Sequence, residues 1–156
     1  MKKFFFASVT LSITLFVLHS TSYAQGTAKT GPDPSTIRDA ELEKDSLHNL
    51  EVARHYFKLK KAYVAAIKRC EEIDAGNPNF AKMDEVLFIA GESSLRLAEN
   101  RGKQKPKDKT PEQLREDARV YLSRLVAGYP NSSFLKQAQS DLQTLGGPIP
   151  KPEGNP

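Results

Sequence analysis

The chain has 156 residues, with 23 Lys and Arg against 19 Asp and Glu and a formal net charge of +4. That length bounds it to about one domain. The charge excess is too small to argue for nucleic-acid binding. The only cysteine, Cys70, excludes an intramolecular disulfide and a cysteine metal cluster.

The first segment does not belong to the fold. Lys2 and Lys3 give a positive start, Phe4 to Leu18 form an apolar run, and Ser22-Tyr23-Ala24 places small residues at the cleavage positions. This predicts a secretory signal peptide over residues 1–24, cut after Ala24. The run falls short of the ~18–20 apolar residues of a spanning helix, and Ser8, Thr10, Ser12 and Thr14 dilute it. Cleavage would remove Lys2 and Lys3 and halve the net charge. Gln25 then stands where a bacterial lipoprotein needs its lipid-bearing cysteine, so no lipid anchor is expected. Residues 25–35 are polar and contain Gly and Pro, which predicts a disordered linker.

A helical domain is expected over residues 36–145. Its first helix can be opened by Asp33-Pro34, or capped by Ser35 or Thr36, and should run to about Lys60. Leu42, Leu47, Leu50, Ala53 and Phe57 form its apolar stripe. The break at Lys60-Lys61 is marked by neither Gly nor Pro; it is placed there because Tyr63-Val64-Ala65-Ala66 starts a new apolar phase. The second helix should cover about Ala62 to Ala75, with Gly76 as the left-handed residue past its end and Pro78 forbidding continuation. Asn79 is the expected cap of a third helix, whose inner side reads Phe80, Met83, Val86, Leu87, Ala90, Ser94 and Leu97. Gly91 costs that helix about 1 kcal/mol relative to alanine, which a close helix contact would explain.

Residues 99–109 hold Arg101, Lys103, Lys105, Lys107 and Lys109 and no apolar side chain. They predict an inserted, solvated loop that could make weak contact with an anionic surface. Thr110-Pro111-Glu112-Gln113 restarts the helix as a capping box with proline at the first helical position. This fourth helix should reach Ala127, and a last one, Ser133 to Leu145, should cap the stack. Gly146-Gly147-Pro148 stops it, and residues 146–156 are expected to be a disordered Pro/Gly tail.

One spacing occurs twice. Ala66, Cys70, Ile73 and Pro78 are separated by the same intervals as Ala118, Leu122, Leu125 and Pro130. A small residue admits a neighbouring helix, two apolar residues fill the gap, and a proline follows the helix end. Cys70 thereby reads as a small core residue, and Ala66 and Ala118 should lie at close helix crossings.

These residues carry a family resemblance. Leu50, Ala53-Arg54, Phe57, Ala66, Cys70 and Pro78, and then Leu87, Ala90-Gly91, Ser94, Ala118, Leu122 and Pro130, follow the pattern of tetratricopeptide repeats. Phrases such as VARHYFKLKKAYVAAIKRCEEI and DARVYLSRLVAGYPNSSF resemble, more narrowly, component D of the bacterial β-barrel assembly machinery (the BamD or YfiO family). The resemblance implies an all-α short solenoid of two tetratricopeptide-like hairpins plus a capping helix. It implies a non-enzymatic periplasmic scaffold, peripheral at the inner face of the outer membrane, with an envelope protein or peptide segment as partner, barrel-assembly components among them. The groove positions it carries over are His48, Glu51, His55 and Lys58 from the first unit and Glu85, Phe88, Glu92 and Leu95 from the second.

No catalytic constellation stands out, and no cofactor is expected. There is no Gly-rich phosphate loop and no Gly-flanked nucleophilic serine. His48, Glu51 and His55 do share one helix face, which leaves an alternative: a small exported metal-binding or hydrolytic protein using these three. Histidines seven apart are separated by about 10 Å along a helix axis, a poor fit to one zinc ion.

Overall fold

In a computed structural model that describes residues 39–150, the chain forms five α-helices, with no strand among the described residues. They are α1 (Ala40–Arg54), continued by a π-helical stretch (His55–Lys60), then α2 (Tyr63–Gly76), α3 (Met83–Ala98), α4 (Pro111–Gly128) and α5 (Leu135–Thr144). Successive helices pack against one another, and α1 also reaches α3. The expected signal peptide, the linker, the caps Asp33, Ser35 and Thr36, and the last residues of the tail lie outside the described residues.

Helix α3 is the centre. Eleven of its sixteen residues are buried, including Met83, Val86, Leu87, Ile89, Ala90 and Leu97. Burial all round marks a helix covered on several sides, and α2 and α4 are its two main neighbours. Burial of each large apolar side chain contributes about 1.5–3 kcal/mol. Gly91 lies where α3 crosses α4. A Cβ built there would sit 2.7 Å from Leu122 Cγ and 3.5 Å from the Ala118 carbonyl oxygen. Glycine is therefore the residue that lets the two backbones approach, which accounts for its helix cost. The doubled spacing is all core: Ala66, Cys70, Ile73, Ala118, Leu122 and Leu125 are each at most 2 % exposed. Burial pushes the Cys70 thiol up to about 12, so it is an unreactive packing group.

The two units also end their helices alike. The Asn77 N–H donates to the Ile73 carbonyl, Phe80 to Asn77 and Met83 to Phe80; Tyr129 donates to Leu125, Ser132 to Tyr129 and Leu135 to Ser132, at one constant offset along the chain. The cause is local. A residue before proline is pushed out of the helical region, and Asn77 (φ −143°) and Tyr129 (φ −132°) each precede one. Gly76 is thus the last helical residue rather than a left-handed one beyond the end, correcting the expectation above. Asn77 is buried and ties the turn to α1 by donating to Glu43 and Ser46.

Other boundaries shift for physical reasons. Asp39 caps α1 by accepting from the amides of Glu41 and Leu42. Asn79 does not cap α3, which begins at Met83 without a side-chain cap. Leu42 and Leu47, expected on the buried stripe of α1, are 44 % and 40 % exposed, whereas Leu50, Ala53 and Phe57 are buried. The break after Lys60 is where it was expected, but it is made by the π-helical stretch and a left-handed Lys61 (φ 52°). The Thr110 box forms in full, with Thr110 N–H donating to Gln113 Oε1 and Gln113 N–H to Thr110 Oγ1. Gly146 and Gly147 (φ 89° and 91°) end α5, and Gly147 N–H donates to the Leu142 carbonyl at 2.7 Å.

Two segments expected to be loose are docked. In the basic loop, Lys103 N–H donates to the Lys61 carbonyl, and Gln104 Oε1 accepts from the Ala65 amide. The loop thereby caps the start of α2, which has no side-chain cap of its own. Gly102 (φ 110°) passes against the Tyr63 ring, where a Cβ would come within 2.6 Å. The first residues of the tail pack on α4: the Gly147 carbonyl accepts from Arg119, and Ile149 N–H donates to Ser123.

Gly91→Ala should destabilise the domain by about 1–3 kcal/mol through overpacking against Leu122, despite alanine's better helix propensity. Ala66→Leu should cost a similar amount. Urea denaturation followed by circular dichroism at 222 nm measures both, and a stabilised Gly91→Ala would contradict the crossing described here.

Candidate functional site

The resemblance points to one strip of α3. Glu85, Phe88, Glu92 and Leu95 recur at helical spacing and so share one face. That face is bridged from both sides. From α1, Arg54 makes a two-pronged contact with Glu85, its Nε donating to Oε1 at 2.6 Å and its second nitrogen to Oε2. Arg54 holds the Glu85 carboxyl below its ordinary range, with Lys58 adding a smaller pull. From the residue that precedes α5, the Phe134 ring stacks on Phe88 with centroids 4.5 Å apart and planes 19° off parallel.

Glu92 is buried at 7 % exposure and accepts both Arg96 Nε (3.0 Å) and a terminal Arg96 nitrogen (2.7 Å). The Arg96 guanidinium lies 4.4 Å above the Phe57 ring and 5.6 Å from that of Tyr63. These rings are themselves 5.9 Å apart, so Arg96 clamps the π-helical turn onto α3. On the far side of Glu92 stands Asp141 of α5. Its carboxyl is pushed up from 3.8 to about 6, first by burial and then by the hydrogen bond to Glu92.

Of the expected groove residues, His48, Glu51, His55 and Lys58 are exposed on α1 and the turn after it. Glu51 and Lys58 lie close enough to act on the Arg54–Glu85 pair electrostatically. The four α3 residues are more engaged than an open groove requires: Glu85 is paired, Phe88 and Leu95 are half-buried, and Glu92 is buried. The residues that sequence reasoning missed are Arg54, Arg96, Phe134 and Asp141. Arg54, Phe134 and Asp141 meet partners on other elements that no local pattern announces, whereas the Glu92–Arg96 pair has the i,i+4 spacing that the sequence does show.

A concavity of about 140 Å³ lies between α2, α3, the start of α4 and the basic loop. Val64, Ile67, Leu97, Leu114 and Pro106 form its apolar part. Elsewhere between these helices, Arg124 grips Asp74 through two nitrogens at 2.6 and 2.7 Å, and Tyr121 donates to Glu71, joining α4 to α2.

Among the described residues, no group of three His, Cys, Asp or Glu side chains is placed to hold a metal ion. His48, Glu51 and His55 thus share a helix face without forming a metal cradle. No helix of the described residues is long and apolar enough to cross a membrane. No known family, curated protein or solved structure matches this chain.

The Glu92–Asp141 contact sets a pH dependence whose sign follows from proton uptake. Asp141 binds its proton more tightly folded than unfolded, so the folded chain holds the extra proton between pH 3.8 and about 6. Its contribution is therefore favourable at low pH and falls as pH rises through that window. Asp141→Asn, which carries no charge, should stabilise the domain at pH 7 by about 1 kcal/mol, discounted because this carboxyl is partly open to solvent. Near pH 4 the gain should vanish. Denaturation midpoints at the two pH values test this, and a variant less stable at pH 7 would contradict it.

Proposed function

We propose that the chain is a non-enzymatic, tetratricopeptide-like scaffold of the bacterial cell envelope. In this proposal residues 1–24 export it, and it binds a protein or peptide segment along the strip between α1, α3 and α5. The observation that carries the proposal is the recurrence of one helix-end and turn geometry in two units, with the same small-then-apolar spacing buried in each. A unit used twice builds an extended helical surface, and such surfaces hold partner segments by apolar anchors and a polar surround.

On this surface the half-buried Phe88 and Leu95 supply the apolar steps. Glu51, Lys58 and the two histidines supply polar partners still open to solvent. Barrel-assembly components are the first partners to test, since the resemblance in the chain is to that machinery.

Fractionation followed by crosslinking and pull-down tests the proposal. The expected outcome is recovery from the periplasm with a defined envelope partner, whose capture drops at least ten-fold in the double variant Glu51→Lys, Lys58→Glu. Because both side chains are exposed, the melting temperature should stay within about 2 °C of the parent. Recovery wholly in the cytoplasm with residues 1–24 attached would refute the envelope role. Zinc retained by the protein and lost in His55→Ala would instead favour a metal-dependent function.

A further inference from the structure

One end of the helical layer carries an apolar side chain that folding leaves in water. Leu59 is 71 % exposed, far more than Leu42, Leu47 or Val120, the other exposed large apolar residues among those described. It belongs to the π-helical stretch that sends Phe57 into the core and Leu59 outward. An aliphatic side chain held out in this way forgoes the transfer free energy that burial would supply. The turn is held by Lys61 in a left-handed conformation, φ 52°, which a residue with a Cβ adopts only at a cost.

The charges next to Leu59 in the chain are basic. Lys60 and Lys61 follow it directly, and both are exposed. The basic loop is fastened here, because Lys103 N–H donates to the Lys61 carbonyl at 3.1 Å. Gln104 turns inward to the Ala65 amide, and Pro106 lines the apolar cleft on α2. Lys103, Lys105 and Lys107 are all exposed, the last at the rim of the same cleft. None of these five lysines forms an ion pair among the described residues, while the acids nearby are largely taken: Glu99 by Arg101 and Asp117 by Lys109. Asp108 is the remaining acid of the loop.

We propose that this end of the molecule docks on an anionic lipid bilayer, with Leu59 entering the acyl boundary and Lys60, Lys61, Lys103, Lys105 and Lys107 meeting lipid headgroups. The chemistry favours this partner over a nucleic acid or an acidic protein. A protruding aliphatic tip suits hydrocarbon, whereas nucleic-acid surfaces use arginine and exposed aromatic rings for stacking. Lysine is a compact point charge with no fixed fork, matched to diffuse headgroup charge, and each one near an anionic surface adds roughly five-fold to partition. Its residues are other than those assigned to the α1–α3–α5 strip, so the inference does not rest on that strip binding a partner.

The chain contains no tryptophan, so Leu59→Trp in the full chain places a single reporter at the tip. Its emission is followed with vesicles of phosphatidylcholine containing 30 % phosphatidylglycerol and with brominated acyl chains as quencher. This local signal cannot come from the apolar run at residues 4–18. The expected result is a blue shift and quenching that weaken at high salt. Val120→Trp, in the body of α4, should show neither. Adding Lys103→Gln, Lys105→Gln and Lys107→Gln to Leu59→Trp should weaken the lipid dependence of the signal at least ten-fold, with the helical circular dichroism unchanged. Water-like emission from residue 59 on vesicles that bind the chain would overturn the proposal. So would equal quenching on pure phosphatidylcholine, or the same blue shift produced by polyglutamate, which would point to an acidic polypeptide.

Discussion

The contact between Gly91 of α3 and Leu122 of α4 is the constraint on which the rest of the helical domain depends. A Cβ at position 91 would come 2.7 Å from Leu122 Cγ, so the crossing exists only because glycine occupies it. With the crossing in place, α3 can be covered by α2 and α4 and contacted by α1. Core packing has no slack for a displaced helix, since a change of one methylene is felt. Ala118 beside the crossing, and Ala66 in the other unit, are fully buried for a related reason: each is small where a large side chain would hold helices apart.

The end of the layer near residues 55–63 is organised by a different set of forces. Phe57 and Tyr63 bracket the π-helical turn, and Arg96 lies over both rings while its charge is balanced by Glu92. The loop after α3 then completes the job, with Gln104 acting as the cap that the start of α2 lacks. A segment whose composition suggests only solvation thus has a structural role at one edge, made possible by Gly102 passing flat against Tyr63. Lys103, Lys105 and Lys107 stay exposed, so the loop is ordered and still presents charge.

The strip on α3 combines fixed and open polar groups. Glu85 and Glu92 are each held by an arginine, and Phe88 is backed by Phe134. Such anchoring removes freedom that a partner would otherwise have to restrain, so the surface is prepared for contact at lower entropic cost. The charges on α1 remain solvated and adjustable. The Asp141 carboxyl beside Glu92 works against the fold at neutral pH, because burial and that neighbour push it up to about 6.

By itself, the sequence determined the features whose causes lie within a turn or two of chain. The helical class, the doubled small-then-apolar spacing, the Thr110 capping box, the glycine stop after α5 and the burial of Cys70 were all legible, because each rests on local spacing or backbone chemistry. The need for a close approach at Gly91 was legible too, though not which residue would meet it. Tertiary structure alone decided the rest. Arg54 found Glu85, Phe134 found Phe88, and the loop found the start of α2 across separations that no periodicity records. Leu42 and Leu47 fit the apolar stripe by spacing yet stay exposed, since a stripe shows only which face can be buried, and a neighbouring helix must be present to bury it.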